Sequence, residues 1–238
     1  MRSKALLNVT LMLCLCVIVS VASAQQAEHS FPTMKPAGDL NILTEQEKED
    51  GWQLLFNGKN LDGWNFDRGE WKVVDGIIVS SGGAGHLFTD RQYKNVEVQW
   101  YVCAYDIAVP KQRFGNSGVF LRGIKTGGSF PRGYEVQVDP YDKKNPTGGI
   151  YGEAPGTLLV DENGEWKADA FFNVHEGKWI HQRARIEGAH IQVWVNGEKT
   201  LDWEDPDNSF PEAGYIALQN HHATDIVLFT DIKIKPLD

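Results

Sequence analysis

From Gly51 onward the chain is a succession of short β-branched or aromatic runs broken by Gly, Asn, Asp and Pro, with no convincing helix between them. That punctuation marks many antiparallel strands and speaks against a parallel sheet, which needs a long crossover for each return. Candidate strands are 53–56, 71–74, 77–80, 96–104, 117–122, 134–138, 149–151, 179–187, 190–195, 198–202, 215–220 and 226–235. Val73-Val74-Asp75-Gly76-Ile77 and Val195-Asn196-Gly197-Glu198 set Asp-Gly and Asn-Gly between strand-like runs, a strong local signal for a hairpin. The expected fold is all-β, a two-sheet antiparallel sandwich of jelly-roll type.

The start of the chain reads differently. Arg2 and Lys4, the apolar run 11–21 and Ala22-Ser23-Ala24 have the layout of a secretory signal peptide over 1–24, cleaved after Ala24, so an extracytoplasmic (periplasmic or secreted) protein is expected. The apolar run is about half of the roughly 20 residues a membrane span needs, so no membrane span is expected. Residues 25–42 are Pro-, Gly- and polar-rich without hydrophobic period and read as a flexible linker, leaving 43–238 as a single β-sandwich domain. Thr44-Glu45-Gln46-Glu47 has capping-box form and predicts a short helix over 45–51.

Beyond the leader only Cys103 remains, so no internal disulfide can form, and stability must come from a core to which Trp52, Trp64 and Trp71 are expected to contribute. Arg2 and Lys4 are the leader's only charged residues, which leaves 21 basic against 32 acidic residues and argues against nucleic acid as a partner.

No G-x-S-x-G elbow, H-E-x-x-H helix or phosphate-binding glycine loop is present. Polar residues inside strands carry the functional signal, because a sandwich strand has one dry face. Alternation sets Glu135 and Gln137 opposite Tyr134, Val136 and Val138; it sets Arg122 with Phe120, and Gln219 with Tyr215 and His221. If these strands are neighbours, Arg122, Glu135, Gln137, Gln219 and His221 line a polar groove floored by Phe120 and Trp194, a surface suited to a carbohydrate. The bland alternatives are a solvated Glu135, a structural Arg122–Glu135 ion pair and a surface His221. His86, His175, His181 and His190 lack a partnered pattern and are treated as background. The longest irregular stretch, 139–173, is the candidate rim of the groove.

Seven segments, LLFNGKNLDGW, GEWKVVDGII, GNSGVFLR, GYEVQV, TGGIYG, GKWIHQRARIEGAHIQVWVNG and GYIALQNHH, span nearly all of 51–235 and together resemble the 3-keto-disaccharide hydrolase family. The resemblance implies a concanavalin A-like jelly roll and cleavage of glycosides already oxidised to a ketone at C3. Such a ketone acidifies the C2 proton, so a base can remove it, the C1 oxygen leaves by β-elimination, and water adds back. The resemblance implies pocket positions at Asn116, Arg122, Glu135, Gln137, Gln219 and His221. Glu135 or His221 is then the candidate base. Arg122, or a divalent metal ion with Glu135 and His221 as candidate ligands, is the candidate enolate stabiliser. Thr230-Asp231, Trp179-Ile180 and an enlarged 152–177 loop depart from the family's pattern. A non-catalytic carbohydrate-binding module using the same face is the alternative function.

Overall fold

The computed structural model describes residues 35–81, 83–106, 113–127, 130–139, 141–154, 156 and 179–238. The expected leader, most of the expected linker, His175 and residues 140, 155 and 157–173 of the irregular stretch lie outside these residues.

In chain order the elements are α1 (Glu45–Glu49), β1 (Gln53–Leu54), β2 (Trp64–Phe66), β3 (Trp71–Val74), β4 (Ile77–Ser80), β5 (Gly85–Tyr93), β6 (Val96–Asp106), β7 (Arg113–Phe114), β8 (Ser117–Ile124), β9 (Arg132–Val138), β10 (Ile180–Glu187), β11 (His190–Val195), β12 (Glu198–Glu204), β13 (Gly214–Asn220) and β14 (Asp225–Pro236). They form two antiparallel sheets, a sandwich of the expected jelly-roll class. The larger runs β12-β11-β10-β6-β14-β4-β3, with β1 on β14 and β7 on β6; the smaller runs β2-β5-β13-β8-β9.

Alternation builds the core. In β10, Ile180, Gln182, Ala184 and Ile186 turn inward while His181, Arg183 and Arg185 turn out; β11 repeats this with Ile191, Val193 and Val195. These meet Val119 and Leu121 of β8, Tyr134 and Val136 of β9, and Leu218 of β13. Each such side chain contributes roughly 1.5–3 kcal/mol on burial, which is where a fold without disulfides must find its stability. Cys103 is itself buried, and desolvation pushes its thiol up to about 12. Trp64 and Trp71 join the core; Trp52 does not, because it precedes β1, whose two residues are both exposed.

Both expected hairpins form with the backbone their sequences demand. Asp75 and Gly76 (φ 50° and 80°) and Asn196 and Gly197 (φ 49° and 89°) place two successive residues in the left-handed region, as a type I′ turn requires. The capping box is present too, closing α1 through Thr44 and Glu47. Three strands escaped the pattern: β2, β5 and β7. Residues 149–151 do not form a strand but bond to the outer edge of β9, with the Gln137 N–H donating to Gly149 O (3.0 Å) and the Tyr151 N–H to Glu135 O (3.0 Å).

The domain also starts earlier than residue 43. The Asn41 N–H donates to Asp231 Oδ1 (2.7 Å), its side-chain amide donates to Gly76 O (2.9 Å), and its Oδ1 accepts from the Asp231 N–H (2.9 Å). Asn41 thus staples the β3–β4 turn to a bulge in β14. Replacing Asn41 with Ala is expected to cost about 2 kcal/mol in denaturant-induced unfolding, since it removes the side-chain bonds to Gly76 O and from the Asp231 N–H and the Thr230 hydroxyl.

Candidate active site

The smaller sheet has one face in the core and one turned away from it. Leu87, Leu218, Val119 and Val136 face the core. The residues between them face outward, and the strand registers set them in rows. His86 pairs with Gln219, Ala217 with both Phe88 and Phe120, Phe120 with Glu135, and Gly118 with Gln137.

A cavity of about 290 Å³ opens on this face, near the lower end of small-molecule sites. Five expected residues line it together: Phe120, Glu135, Gln137, Gln219 and His221. Phe130, Pro131, Gly133 and Tyr151, which sequence reasoning had not singled out, complete the lining. Tyr151 comes from the irregular stretch suspected as a rim. With Phe130 at 45 % exposure and Tyr151 at 52 %, the rim offers aromatic faces to solvent.

Glu135 is the chemical centre of this arrangement. It is only 8 % exposed, and desolvation raises its carboxyl from 4.5 to about 8, with a hydrogen bond from Gln219 acting in the opposite direction. Among the described residues no cation offsets the burial cost, and the expected alternative of an ion pair with Arg122 is not formed. Space for the carboxyl comes from Gly118, where an added Cβ would lie 2.4 Å from Glu135 Oε1. A side chain there would evict the group.

His221 sits at the end of β13, its ring 5.3 Å from Phe130 and its Nδ1 3.0–3.2 Å from the ring nitrogens of His222. Desolvation first, then the neighbouring His222, lower it to about 4, so its imidazole is neutral at physiological pH. His222 in turn lies 3.1 Å from Asp225 Oδ2.

Three expected members are elsewhere. Arg122 has φ 50° at a bulge between Leu121 and Ile124, and this breaks the alternation that would have set it beside Phe120. Its guanidinium donates instead to Lys94 O (2.8 Å), Phe210 O (2.7 Å), Gly188 O (2.7 Å) and Asn95 Oδ1 (3.1 Å), tying three connecting loops. Trp194 belongs to β11 of the larger sheet, on the face opposite the core, where the Arg183 guanidinium lies 4.0 Å over its ring. It cannot floor a groove on the other sheet. Asn116 precedes β8 and donates to Asp139 Oδ2 (3.0 Å), outside the cavity lining.

One residue dismissed as background lies next to the lining, on the same sheet face. His86, on the unanticipated β5, faces the same side as Gln219 and packs among Phe88, Phe120 and Phe130. Desolvation lowers it to about 4. Among the described residues there is no group of three or more His, Cys, Asp or Glu placed to hold a metal ion.

The site is thus a small cavity on the outward sheet face of a jelly-roll sandwich, lined by a desolvated carboxyl, two side-chain amides and an imidazole. The model of the 3-keto-α-glucoside-1,2-lyase-like domain matches residues 51–235, and the chain belongs to that family. A 3-keto-disaccharide hydrolase from Bacteroides thetaiotaomicron is 23 % identical, over 91 % of this chain and 89 % of the relative. A candidate glycosyl hydrolase from Parabacteroides distasonis has a similar structure, with TM-score 0.59 and 24 % identity over 84 % of this chain and all of that one. The carbohydrate-binding module CBM66 of Bacillus subtilis shares the fold at TM-score 0.50 and 15 % identity, covering 73 % of this chain and 95 % of the module.

Proposed function

We propose that this protein is an exported glycoside-cleaving enzyme acting on sugars oxidised to a ketone at C3, with Glu135 as the base. The observation that carries the reading is a buried carboxyl, with no cation beside it among the described residues, facing a cavity of about 290 Å³ on a fold of this family. The leader and the absence, among the described residues, of a helix long and apolar enough to cross a membrane are compatible with export.

The chemistry follows from the groups present. The Glu135 carboxylate takes the C2 proton, and the electron pair moves into an enolate on the C3 oxygen. The amides of Gln137 and Gln219 and the neutral His221 imidazole are the donors at hand to stabilise that oxygen. Collapse of the enolate restores the C3 carbonyl, forms the C1–C2 double bond and expels the C1 oxygen, which takes the proton held by Glu135 and departs as the alcohol; water then adds its hydroxyl to C1 and its proton to C2, giving net hydrolysis. Phe120 supplies an apolar surface for the sugar ring. The exposed rim aromatics and the likeness in fold to a carbohydrate-binding module favour, as a second reading, sugar binding without turnover.

The test is release of the leaving alcohol from methyl 3-keto-α-D-glucoside and from the unoxidised parent, with and without a chelator. Cleavage of the keto sugar alone is expected. Binding of either sugar without cleavage, even with added divalent metal, would establish the binding-module reading. Because the base works ionised and Glu135 titrates near 8, kcat/KM should climb about tenfold between pH 7 and pH 9. A profile already flat from pH 6 would exclude Glu135 as the base.

A further inference from the structure

We propose that His86 and Gln219 bind a hydroxyl group of the sugar in a subsite beneath the Phe130 ring. This rests on the sugar-cavity reading above and deepens it by naming what recognises the ring.

His86 is 1 % exposed, and among the described residues neither ring nitrogen has a hydrogen-bond partner; Gln219, also 1 % exposed, leaves its Oε1 equally alone. The two are paired across β5 and β13 and face the same side. Buried polar atoms without partners are rare in folded proteins, so two of them side by side call for a third group. A neutral imidazole offers one N–H and one acceptor nitrogen, and the amide offers a carbonyl oxygen. A hydroxyl satisfies both residues at once, accepting from the imidazole N–H while donating to Gln219 Oε1.

Access depends on one side chain. The His86 ring lies 6.0 Å from Phe88 and 5.7 Å from both Phe120 and Phe130. Phe88 and Phe120 are buried on the sheet, but Phe130 is 45 % exposed and meets His86 edge-on at 77°. A half-exposed ring changes rotamer within nanoseconds. A sugar that takes its place reaches His86 without disturbing a strand, and rests its C–H face on Phe120. A site built in this way discriminates against a sugar lacking the bound hydroxyl more strongly than an apolar pocket would.

The test uses His86→Phe, which fills the same aromatic box and removes both nitrogens, so its melting temperature should match or exceed that of the wild type. Binding of methyl α-D-glucoside and of its 3-keto derivative should weaken about tenfold or more. In the wild-type protein, the imidazole NMR signals of His86, assigned by through-bond correlation to its own backbone, should shift on titration with either sugar. That second readout does not depend on the variant folding. Equal affinity in wild type and variant, saturable binding that leaves the His86 signals unmoved, or no binding of either sugar would each overturn the subsite. Shifted His86 signals without any turnover would sustain the subsite and overturn the reaction proposed above; turnover equal in wild type and variant would do the reverse.

Discussion

Replacing Glu135 with Gln is expected to lower kcat/KM on a 3-keto-glucoside by about three orders of magnitude, within the range a positioned general base supplies, and to make the fold more tolerant of alkali. The two effects share one cause. In the folded protein the carboxyl titrates near 8, against 4.5 when exposed. Between those values the native state holds a proton that the unfolded chain has released, so raising the pH through this window favours unfolding. The full penalty, on the order of 5 kcal/mol, is in place above pH 8. Gln keeps the shape and cannot ionise. Unfolding free energies of both proteins at pH 5 and pH 9 should therefore diverge, the wild type losing more. Parallel pH dependence, or turnover surviving in Glu135→Gln, would remove Glu135 from the role of desolvated base.

Arg122→Ala should act in the opposite manner, costing stability and sparing chemistry. Its guanidinium satisfies three loop carbonyls and the Asn95 side chain at once. Stranding these acceptors should cost about 4 kcal/mol. Lys should rescue little, since one ammonium cannot reproduce a planar fork reaching four acceptors. Denaturant unfolding measures the loss, and turnover per folded molecule at low temperature should stay near that of the wild type. A fall in kcat without a fall in stability would return Arg122 to the site as an enolate stabiliser.

The fold was most legible where strands keep one wet and one dry face. In β10 and β11 every second residue is buried, and the pattern in the sequence is the pattern in the structure. β5 was not legible for the same physical reason. Its first five residues are buried on both faces and its next three are exposed, so no alternation exists to find. His86 went unnoticed with it.

Period-two reasoning placed Glu135, Gln137, Gln219 and His221 on one face because β9 runs without a break and β13 is regular from Ala217 onward. It misplaced Arg122 because a bulge shifts the phase, and a single arginine with positive φ leaves no trace in composition. Trp194 failed for another reason: sidedness within a strand says nothing about which sheet the strand joins.

The position of β14 has a consequence for how the protein is made. This strand lies between β6 and β4 and also carries β1, yet it is the last of the fourteen to be synthesised. Until it arrives, the two halves of the larger sheet have nothing to join them, and the earliest segments must wait, unpaired, for a neighbour nearly two hundred residues away. Such long-range closure is slow. A chain that cannot assemble early is one that can be threaded through a narrow channel while still unfolded.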